Sequence, residues 1–415
     1  MTEVGASWAG THVYGAQALF EPTTVGELQD IVAASPRVRA LGTRHSFNDI
    51  ADTSGVLVGV GRLVSPVEVS ADRRSAWVPA GLPYGLIARE LHAQGLALAN
   101  LGSLPHISVG GACAVGTHGS GNRNRNLSGS VVGMELVTAS GDLLTVDSTT
   151  PDFAGMVVHL GALGIVTRVE LAVVPTFDVR QDVFVELPWQ TLLDDVDRIM
   201  AGAYSVSVFL HWSVDTVREI WVKSTADATL DESLFGAARA LPTHAGPIVE
   251  VADNTTPTDG SFGPWHERLP HFRFDATPSH GDEIQSEYFV PRSRAAEALA
   301  ALRPLGARID PLLLTTELRS VAADDLWLSP AFQRDSLAIH FTWKNRPDEV
   351  AALLPAIEEA LLPLDARPHW GKWFRMPSAA ILAQYDRAGD FRALAERFDP
   401  GGRFRNDFLA RTIAL

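Results

Sequence analysis

The sequence predicts an α+β protein of two domains. The chain has 415 residues, and because a domain usually takes roughly 100–200 residues, this length favours two domains over one. Up to about residue 175, short strand-like runs outnumber long helical patterns, which is typical of an α+β domain. After Pro175 the pattern changes to strands and helices separated by a loop-rich stretch, which indicates a second domain.

Composition and charge restrict the possible partners. Hydrophobic residues make up 46% and charged residues 20% of the chain, which is ordinary for a globular protein. The 34 basic and 49 acidic side chains give a net charge of −15. Such an acidic chain is poorly suited to nucleic acid, to anionic membranes and to strongly anionic substrates. A neutral small molecule is the expected substrate.

The cysteine content and the hydropathy pattern bear on the compartment. Cys113 is the single cysteine, so the sequence excludes an intramolecular disulfide and a zinc site built on several thiolates. The first residues have neither a basic start nor an apolar run of signal-peptide length. No stretch approaches 18 uncharged apolar residues. We therefore expect a cytoplasmic protein with no membrane-spanning helix and no metal site.

The first elements follow from capping and helix-breaking residues. Thr24 and Glu27 have the spacing of a capping box, and apolar residues follow at helical intervals, so we predict a helix that ends before Pro36. A strand over 38–41 breaks at Gly42. Further elements are predicted as strands at 56–60 and 165–173, a helix at 84–93, and a hairpin of 135–138 with 143–146.

Beyond residue 175 the predicted elements are more widely spaced. They are strands at 183–187, 311–319 and 336–343, and helices at 192–200, 293–303, 347–361 and 379–398. The stretch from about 224 to 283 is rich in Pro, Gly, Thr and Asp and is predicted to form long loops.

Two glycine-containing segments are the first candidates for a binding site. Between Gly102 and Gly121, glycines and small hydroxyl residues crowd into about twenty positions. Glycine lets a backbone approach a ligand and turn its N–H groups onto phosphate oxygens. The spacing matches neither G-x-G-x-x-G nor the P-loop lysine motif. Two interpretations of the segment remain: a pyrophosphate site of another kind, or an ordinary surface loop. His45, just after Gly42, is either a ligand contact or a solvated or packed loop histidine.

Two strand-like runs carry polar residues at intervals of two. Residues two apart on a strand point the same way, so Glu317 and Arg319 share one face, and His340 and Thr342 share one face of the other run. A buried carboxylate and guanidinium need each other or a polar guest. A structural ion pair and a core histidine are the alternatives to a binding role.

Lys372 adds a cation to these candidates. It lies between Trp370 and Trp373, where a lysine often only extends along apolar surface toward water. Together with the strand residues, it gives one pocket a glutamate, an arginine, a histidine, a threonine and a lysine. Such a pocket suits a guest with several hydroxyl groups.

Seven segments together identify a family. They are Gly42–Asn48, Ser103–Val109, Gly116–Gly121, Gly161–Thr167, His340–Trp343, Arg367–Lys372 and Asp399–Phe404. In this order they resemble the motifs of alditol oxidases, including xylitol oxidases, of the vanillyl-alcohol-oxidase flavoprotein family, over nearly the whole chain. The resemblance implies a two-domain PCMH-type FAD-binding fold with an α+β cap domain. Residues 1–178 would bind FAD, residues 179–372 would form the cap that holds the substrate, and residues 373–415 would return to the FAD-binding domain.

The resemblance also implies how FAD is held. His45 would carry the 8α-methyl group of FAD covalently through a ring nitrogen, and the loops 40–46 and 102–119 would hold the pyrophosphate and the isoalloxazine. The implied cofactor contacts are His45, Ala40, Leu41, Gly42, Thr43, Arg44, Ser46, Ser103, Ser108, Gly111, Ala112, Cys113, Ala114, His118 and, through its backbone, Ile165. Cys113 does not match a second covalent link, so a single attachment is expected.

Two positions depart from these relatives. Arg44 stands where they carry glycine before the flavin-linked histidine, and it either pairs with the pyrophosphate or crowds the attachment site. Gly102 replaces a slightly larger residue beside the flavin, at a position that controls oxygen access in this family. A glycine there favours oxidase behaviour.

The implied reaction is oxidation of a primary alcohol of a small polyol such as xylitol, sorbitol or glycerol, with O2 reduced to hydrogen peroxide. The matching substrate positions are Ser103, Glu317, Arg319, His340, Thr342 and Lys372. His340 is the expected base, Arg319 and Lys372 would stabilise negative charge, and the others would orient neighbouring hydroxyls. A monomer is expected. The alternatives are an aldonolactone-type dehydrogenase with another electron acceptor, a flavin-bearing protein without turnover, and a scaffold protein without flavin.

Overall fold

The computed structural model describes residues 4–236, 238–240, 254–277, 281 and 283–415. Within these ranges the chain has the predicted mixture of helices and strands. The helices are α1 Val25–Ala34, α2 Tyr84–Ala93, α3 Val109–Ala114, α4 Phe153–Met156, α5 Trp189–Ala201, α6 Ala295–Leu302, α7 Gly306–Ile309, α8 Pro347–Leu361, α9 Ser378–Leu382, α10 Ala388–Phe398 and α11 Asp407–Ile413. None of these described helices has the length and hydrophobicity needed to cross a membrane.

The strands fall into two groups along the chain. The first group is β1 Ala18–Phe20, β2 Val38–Leu41, β3 Val56–Gly59, β4 Glu68–Val69, β5 Ser75–Pro79, β6 Leu96–Ala97, β7 Val131–Val137, β8 Leu143–Asp147, β9 Ile165–Ala172 and β10 Val174–Pro175. The second group is β11 Asp178–Val185, β12 Ser205–Leu210, β13 Glu219–Thr225, β14 Ala238–Arg239, β15 Phe262–Pro264, β16 Glu283–Pro291, β17 Leu313–Val321, β18 Ser336–Lys344 and β19 Arg367–Pro368.

The first group builds three small sheets. Strands β1, β3 and β2 pair in parallel, and β4, β5, β9, β7 and β8 form an antiparallel sheet in that order. Strand β10 pairs with β6. The predicted hairpin is the pair β7 and β8, and the predicted first helix is α1, which Thr24 caps by accepting the N–H of Glu27 at 3.2 Å.

The second group builds one antiparallel sheet of nine described strands, in the order β14, β11, β13, β12, β17, β18, β16 and β19, with β15 also paired to β11. Residues 178–368 supply all of these strands. The predicted boundaries at 178 and 372 stay predictions. Buried apolar side chains from both strand groups and from the C-terminal helices form one continuous core cluster.

The centre of the nine-stranded sheet has one apolar and one polar face. Leu318, Ile339 and Phe341 are fully buried in the apolar core. Their neighbours along the strands point the other way, because side chains alternate along a strand. In the antiparallel register Glu317 lies opposite His340, and His340 lies opposite Glu287. The fold thereby places a row of ionisable groups on one face of the sheet.

One prediction of local structure was wrong, and a second holds only in part. The helix predicted over 379–398 is interrupted between Leu382 and Ala388, because Arg367 Nε binds the carbonyl oxygen of Gln384 at 2.9 Å and the Tyr385 ring packs on Trp370. The stretch from about 224 to 283, predicted as long loops, is mostly loop where it is described, but it contains the end of β13, the short strands β14 and β15, and the first residue of β16. Part of that stretch, namely 237, 241–253, 278–280 and 282, lies outside the described residues.

Candidate active site

A cleft separates the glycine-rich turns of the N-terminal region from the polar face of the nine-stranded sheet. The loops after β2 and around α3 form one wall, and β16, β17, β18 and the segment after β19 form the other. The space free of atoms between the two walls is about 1780 Å³, with its open mouth to the solvent included. Residues of both walls line this one opening.

Most of the predicted site residues line this cleft. They are Ala40, Leu41, Gly42, Thr43, Arg44, His45, Ser46, Ser103, Ser108, Gly111, Ala112, Ala114, His118, Glu317, Arg319, His340, Thr342 and Lys372. Cys113 and Ile165 do not line it. The thiol of Cys113 is buried 3.3 Å from the hydroxyl of Tyr84. Ile165 packs in a core cluster, while Gly164 and Val166 on either side of it line the cleft.

Glycines bring two loop backbones together at one end of the cleft. A Cβ at Gly42 would lie 2.7 Å from Oγ of Ser108, and a Cβ at Gly111 would lie 2.9 Å from the same oxygen. The Ser108 N–H in turn donates to Oγ1 of Thr43 at 3.3 Å. Open glycine backbone beside hydroxyl groups is the donor set that a pyrophosphate requires, so these residues fit FAD.

His45 lies on the same wall with its ring largely shielded. The ring stacks on Trp8 with centroids 5.2 Å apart, and Nδ1 lies 3.1 Å from Oγ1 of Thr43. Burial lowers the pKa of His45 to about 4, and the charges of Lys372 and His106 add to that effect. The ring is therefore neutral at pH 7, and one of its nitrogens has a free lone pair.

Arg44 contacts the N-terminal segment. Its backbone is left-handed, with φ at 65°, and its guanidinium donates to the carbonyl oxygens of Val4 and Ala6. The guanidinium also lies 5.5 Å from the centre of the Tyr14 ring. In return, the Arg44 carbonyl accepts the Trp8 N–H at 2.9 Å. Arg44 thus ties the segment that carries Trp8 to the loop that carries His45, a role that the sequence did not reveal because its partners are carbonyl oxygens.

The opposite wall brings the predicted substrate residues together. Glu317, Arg319 and His340 are buried on the polar face of the sheet, as their spacing predicted. Nη1 of Arg319 donates to Oγ of Ser103 at 3.0 Å, across the cleft from the sheet, and Nε of Arg319 lies 3.4 Å from Glu317. Lys372 completes the wall, and its Nζ lies 4.9 Å from the centre of the Phe47 ring.

Glu287 is the main residue that sequence reasoning missed. Its Oε1 lies 3.0 Å from Nε2 of His118 and 3.3 Å from Nη2 of Arg319, and its Oε2 lies 3.3 Å from Nδ1 of His340. Burial alone would raise the pKa of Glu287, but these three groups hold it well below its usual range. The available signal was the alternation of Glu283, Gln285 and Glu287 with apolar and small residues, which is typical of a strand with one polar face.

Two pKa shifts decide which groups in this wall are charged. Burial lowers the pKa of His340, although Glu287 partly opposes the shift, so the ring is neutral at pH 7. Its Nδ1 faces Glu287, which leaves Nε2 to accept a proton. Burial lowers the pKa of Lys372 to about 8, so its ammonium persists at neutral pH. The wall thus combines a neutral base with two cations.

Comparison with known proteins agrees with this geometry. A family described as "FAD binding domain" matches residues 16–147, and one described as "D-arabinono-1,4-lactone oxidase" matches residues 215–412. An alditol oxidase of Streptomyces sp. (strain IKD472 / FERM P-14339) is 43% identical over 412 residues, which cover 99% of each chain. An L-gulono-1,4-lactone dehydrogenase of Mycobacterium tuberculosis is 29% identical over the full length of both chains.

Solved structures show the same fold at low sequence identity. A cholesterol oxidase from B. sterolicum superposes with a TM-score of 0.79 and is 15% identical, over 99% of this chain and 96% of the other. The alditol oxidase similarity extends over both walls of the cleft, because it covers the chain almost completely. The chain therefore belongs to the alditol oxidase family of FAD-dependent oxidoreductases.

Proposed function

We propose that the protein oxidises a primary alcohol of a small polyol, such as xylitol, sorbitol or glycerol, to the aldehyde with covalently held FAD. The observation that carries this proposal is the position of His340, Arg319 and Glu317 on the wall opposite His45 within one cleft. The 43% identical alditol oxidase supports the same reaction class. When bound, FAD would supply the two-electron acceptor for the hydride of the alcohol carbon, and O2 would be the final acceptor, which would be reduced to hydrogen peroxide.

The residues of the second wall divide the work on the substrate. Nε2 of His340 accepts the hydroxyl proton, because the ring is neutral and its other nitrogen faces Glu287. Arg319 and Lys372 stabilise the negative charge that develops on the alcohol oxygen. The carboxylate of Glu317 and the hydroxyls of Ser103 and Thr342 bind the neighbouring hydroxyl groups of the polyol. This binding excludes water and fixes the carbon chain of the polyol relative to His340.

The other wall holds the cofactor. The glycine turns at 42 and 111 would receive the pyrophosphate, and His45 would form the single covalent link to the 8α-methyl group. Trp8 packs against the His45 ring and restricts its rotation. At position 102 a Cβ would be in ordinary van der Waals contact, with the carbonyl oxygen of His118 at 3.6 Å. A side chain there would take up space beside the flavin that Gly102 would leave open to O2.

A lactone dehydrogenase is the second candidate. It is favoured by the family match over residues 215–412 and by the 29% identical dehydrogenase of M. tuberculosis. A lactone, however, has fewer free hydroxyl groups for the polar wall to bind than the open-chain polyol with the same number of carbon atoms. The cytoplasmic location and the monomeric state stay predictions from the sequence.

One experiment separates the two candidates. The purified protein is mixed anaerobically with xylitol, sorbitol, glycerol or L-gulono-1,4-lactone, and bleaching of the flavin absorbance is followed before air is admitted. We expect polyols to bleach the flavin faster than the lactone, and air to restore the colour within seconds with release of hydrogen peroxide. Bleaching by the lactone alone, or slow recovery in air, would support the dehydrogenase.

A further inference from the structure

We propose that Lys223 and His271, which lie behind the wall of the cleft, act as a relay that positions the carboxylate of Glu317 toward the hydroxyl groups of the substrate. This inference rests on the proposed polyol oxidation. Both residues are buried. In the sequence, both lie after the cofactor loop 102–119 and before the first predicted substrate strand, which begins at 311. They are positioning residues, because they act through Glu317.

The contacts form an unbroken chain. Nζ of Lys223, on β13, contacts Nδ1 of His271 at 3.1 Å, and Nε2 of His271 contacts Oε1 of Glu317 at 2.8 Å. The remaining contacts of Nζ are the carbonyl oxygens of Leu269 and Pro270. Lysine therefore meets three acceptors with the three protons of its ammonium.

These contacts fix the tautomer of the histidine. A lysine head group has protons to give, so Nδ1 of His271 accepts and the ring proton is on Nε2. That proton is donated to Glu317. Burial lowers the pKa of Lys223 to about 7, but a neutral amine still has two protons, so donation to Nδ1 persists above that value. The direction of the relay is thus the same in both forms of the lysine.

Arg319 and the relay together hold Glu317 in its ionised form. Burial would raise the pKa of Glu317, but Arg319 and His271 hold it well below its usual range. An ionised carboxylate only accepts hydrogen bonds, so it pairs with the hydroxyl protons of a polyol and repels anionic groups. A fixed acceptor at this point selects neutral polyhydroxy substrates.

His271 also anchors the facing wall. Its backbone N–H donates to the carbonyl oxygen of Ser103 at 3.0 Å, and Oγ of Ser103 accepts from Arg319. The rings of Trp221 and Phe209 pack around the imidazole at 5.0 and 5.7 Å, which keeps water away from the relay. One residue therefore aligns two of the predicted substrate contacts, Glu317 through its side chain and Ser103 through its backbone.

A matched pair of variants tests the relay. His271→Gln keeps an acceptor for Lys223 and a donor for Glu317 at nearly the same reach, whereas His271→Leu keeps bulk and removes both. Reduction of the flavin by xylitol is followed by stopped-flow. We expect His271→Leu to raise the Kd of xylitol at least tenfold and to change the limiting rate of flavin reduction by less than threefold. His271→Gln should stay within threefold of the parent in both. Flavin content and Tm report whether each variant folds.

Lys223→Met extends the test without touching the histidine. We expect it to raise the Kd of xylitol in the parent protein but not in a Glu317→Gln background, because coupled residues give non-additive effects. Equal Kd values for His271→Gln and His271→Leu, or additive effects of Lys223→Met and Glu317→Gln, would overturn the relay. Failure of xylitol, sorbitol and glycerol to reduce the parent protein would instead overturn the proposed function, and the relay with it.

Discussion

The two walls of the cleft are built in different ways. The cofactor wall consists of the backbone of consecutive loop residues, kept open by glycines such as Gly42 and Gly111. The substrate wall consists of side chains from β16, β17 and β18, whose buried charges compensate one another through Glu287 and Glu317. In the first wall, an added side-chain atom would clash. In the second wall, removal of a charge would leave its buried partner uncompensated. Each wall should therefore respond to a different kind of substitution.

The largest effect is expected at His340, where the substrate wall meets the reacting atoms. His340→Asn keeps a donor toward Glu287 and removes Nε2, so the charge balance is preserved while the base is lost. We expect the limiting rate of flavin reduction by xylitol to fall by about 10²–10⁴, with flavin content unchanged. An unchanged rate in anaerobic stopped-flow would remove His340 from the role of base.

Glu287 tests whether charge limits the substrate wall. Glu287→Gln leaves Arg319 and His118 without their shared carboxylate, and breaking a buried ion pair typically costs about 3–5 kcal/mol. We expect a loss of that size in the free energy of unfolding, measured by denaturant titration. The control is Glu359→Gln on the exposed side of α8, which should change stability by less than about 0.5 kcal/mol. Similar losses for both variants would show that burial of charge is not what matters here.

Gly42 tests whether space limits the cofactor wall. Gly42→Ala brings a methyl group to 2.7 Å from Oγ of Ser108, and such overpacking costs about 1–3 kcal/mol. We expect a lower flavin content per protein, read from the ratio of absorbance at the flavin band to that of the protein. Combining it with Ser108→Ala should restore part of the flavin by removing the clash.

The control for Gly42 is Gly26→Ala, on the exposed face of α1. A Cβ there meets nothing within 4 Å, so flavin content should not change. If the double variant Gly42→Ala, Ser108→Ala holds no more flavin than Gly42→Ala alone, the clash with Ser108 does not explain the loss.

The smallest effect is a dependence on pH. Burial lowers the pKa of Lys372 to about 8, so raising the pH above 8 removes its positive charge. The limiting rate of flavin reduction should then fall by up to about tenfold per pH unit. Burial also lowers the pKa of His340 below its ordinary value of 6.5, so loss of the base by protonation should begin only below pH 6.5.

Lys372→Arg is the matched variant for the alkaline limb, because arginine stays protonated throughout this pH range. We expect this variant to lose the fall in rate between pH 8 and 9. Retention of the same fall would assign it to another group.

The difference between the walls also explains what the sequence predicted. The cofactor wall is contained in two contiguous segments, 40–46 and 102–119, so its glycine pattern was visible without a structure. The shared faces of Glu317 with Arg319 and of His340 with Thr342 followed from the period of a strand, and the register confirms them. Both predictions therefore rest on patterns within short segments of the chain.

The rest depended on contacts between distant segments. Glu287 was missed because its partners His118, Arg319 and His340 lie 169, 32 and 53 positions away. His271 lies in a stretch that the sequence predicts as loops, and only the fold brings it against Lys223 and Glu317. Arg44 was recognised as unusual, but its hydrogen bonds to Val4 and Ala6 use backbone oxygens that a sequence pattern does not display.

The covalent attachment of FAD to His45 is the central claim, and acid precipitation tests it directly. The purified protein is denatured in acid and pelleted, and the absorbance of flavin is measured in the redissolved pellet and in the supernatant. We predict yellow colour in the pellet of the parent protein and none in the pellet of His45→Ala. Flavin released to the supernatant by the parent protein, or retained in the pellet of His45→Ala, would contradict the claim.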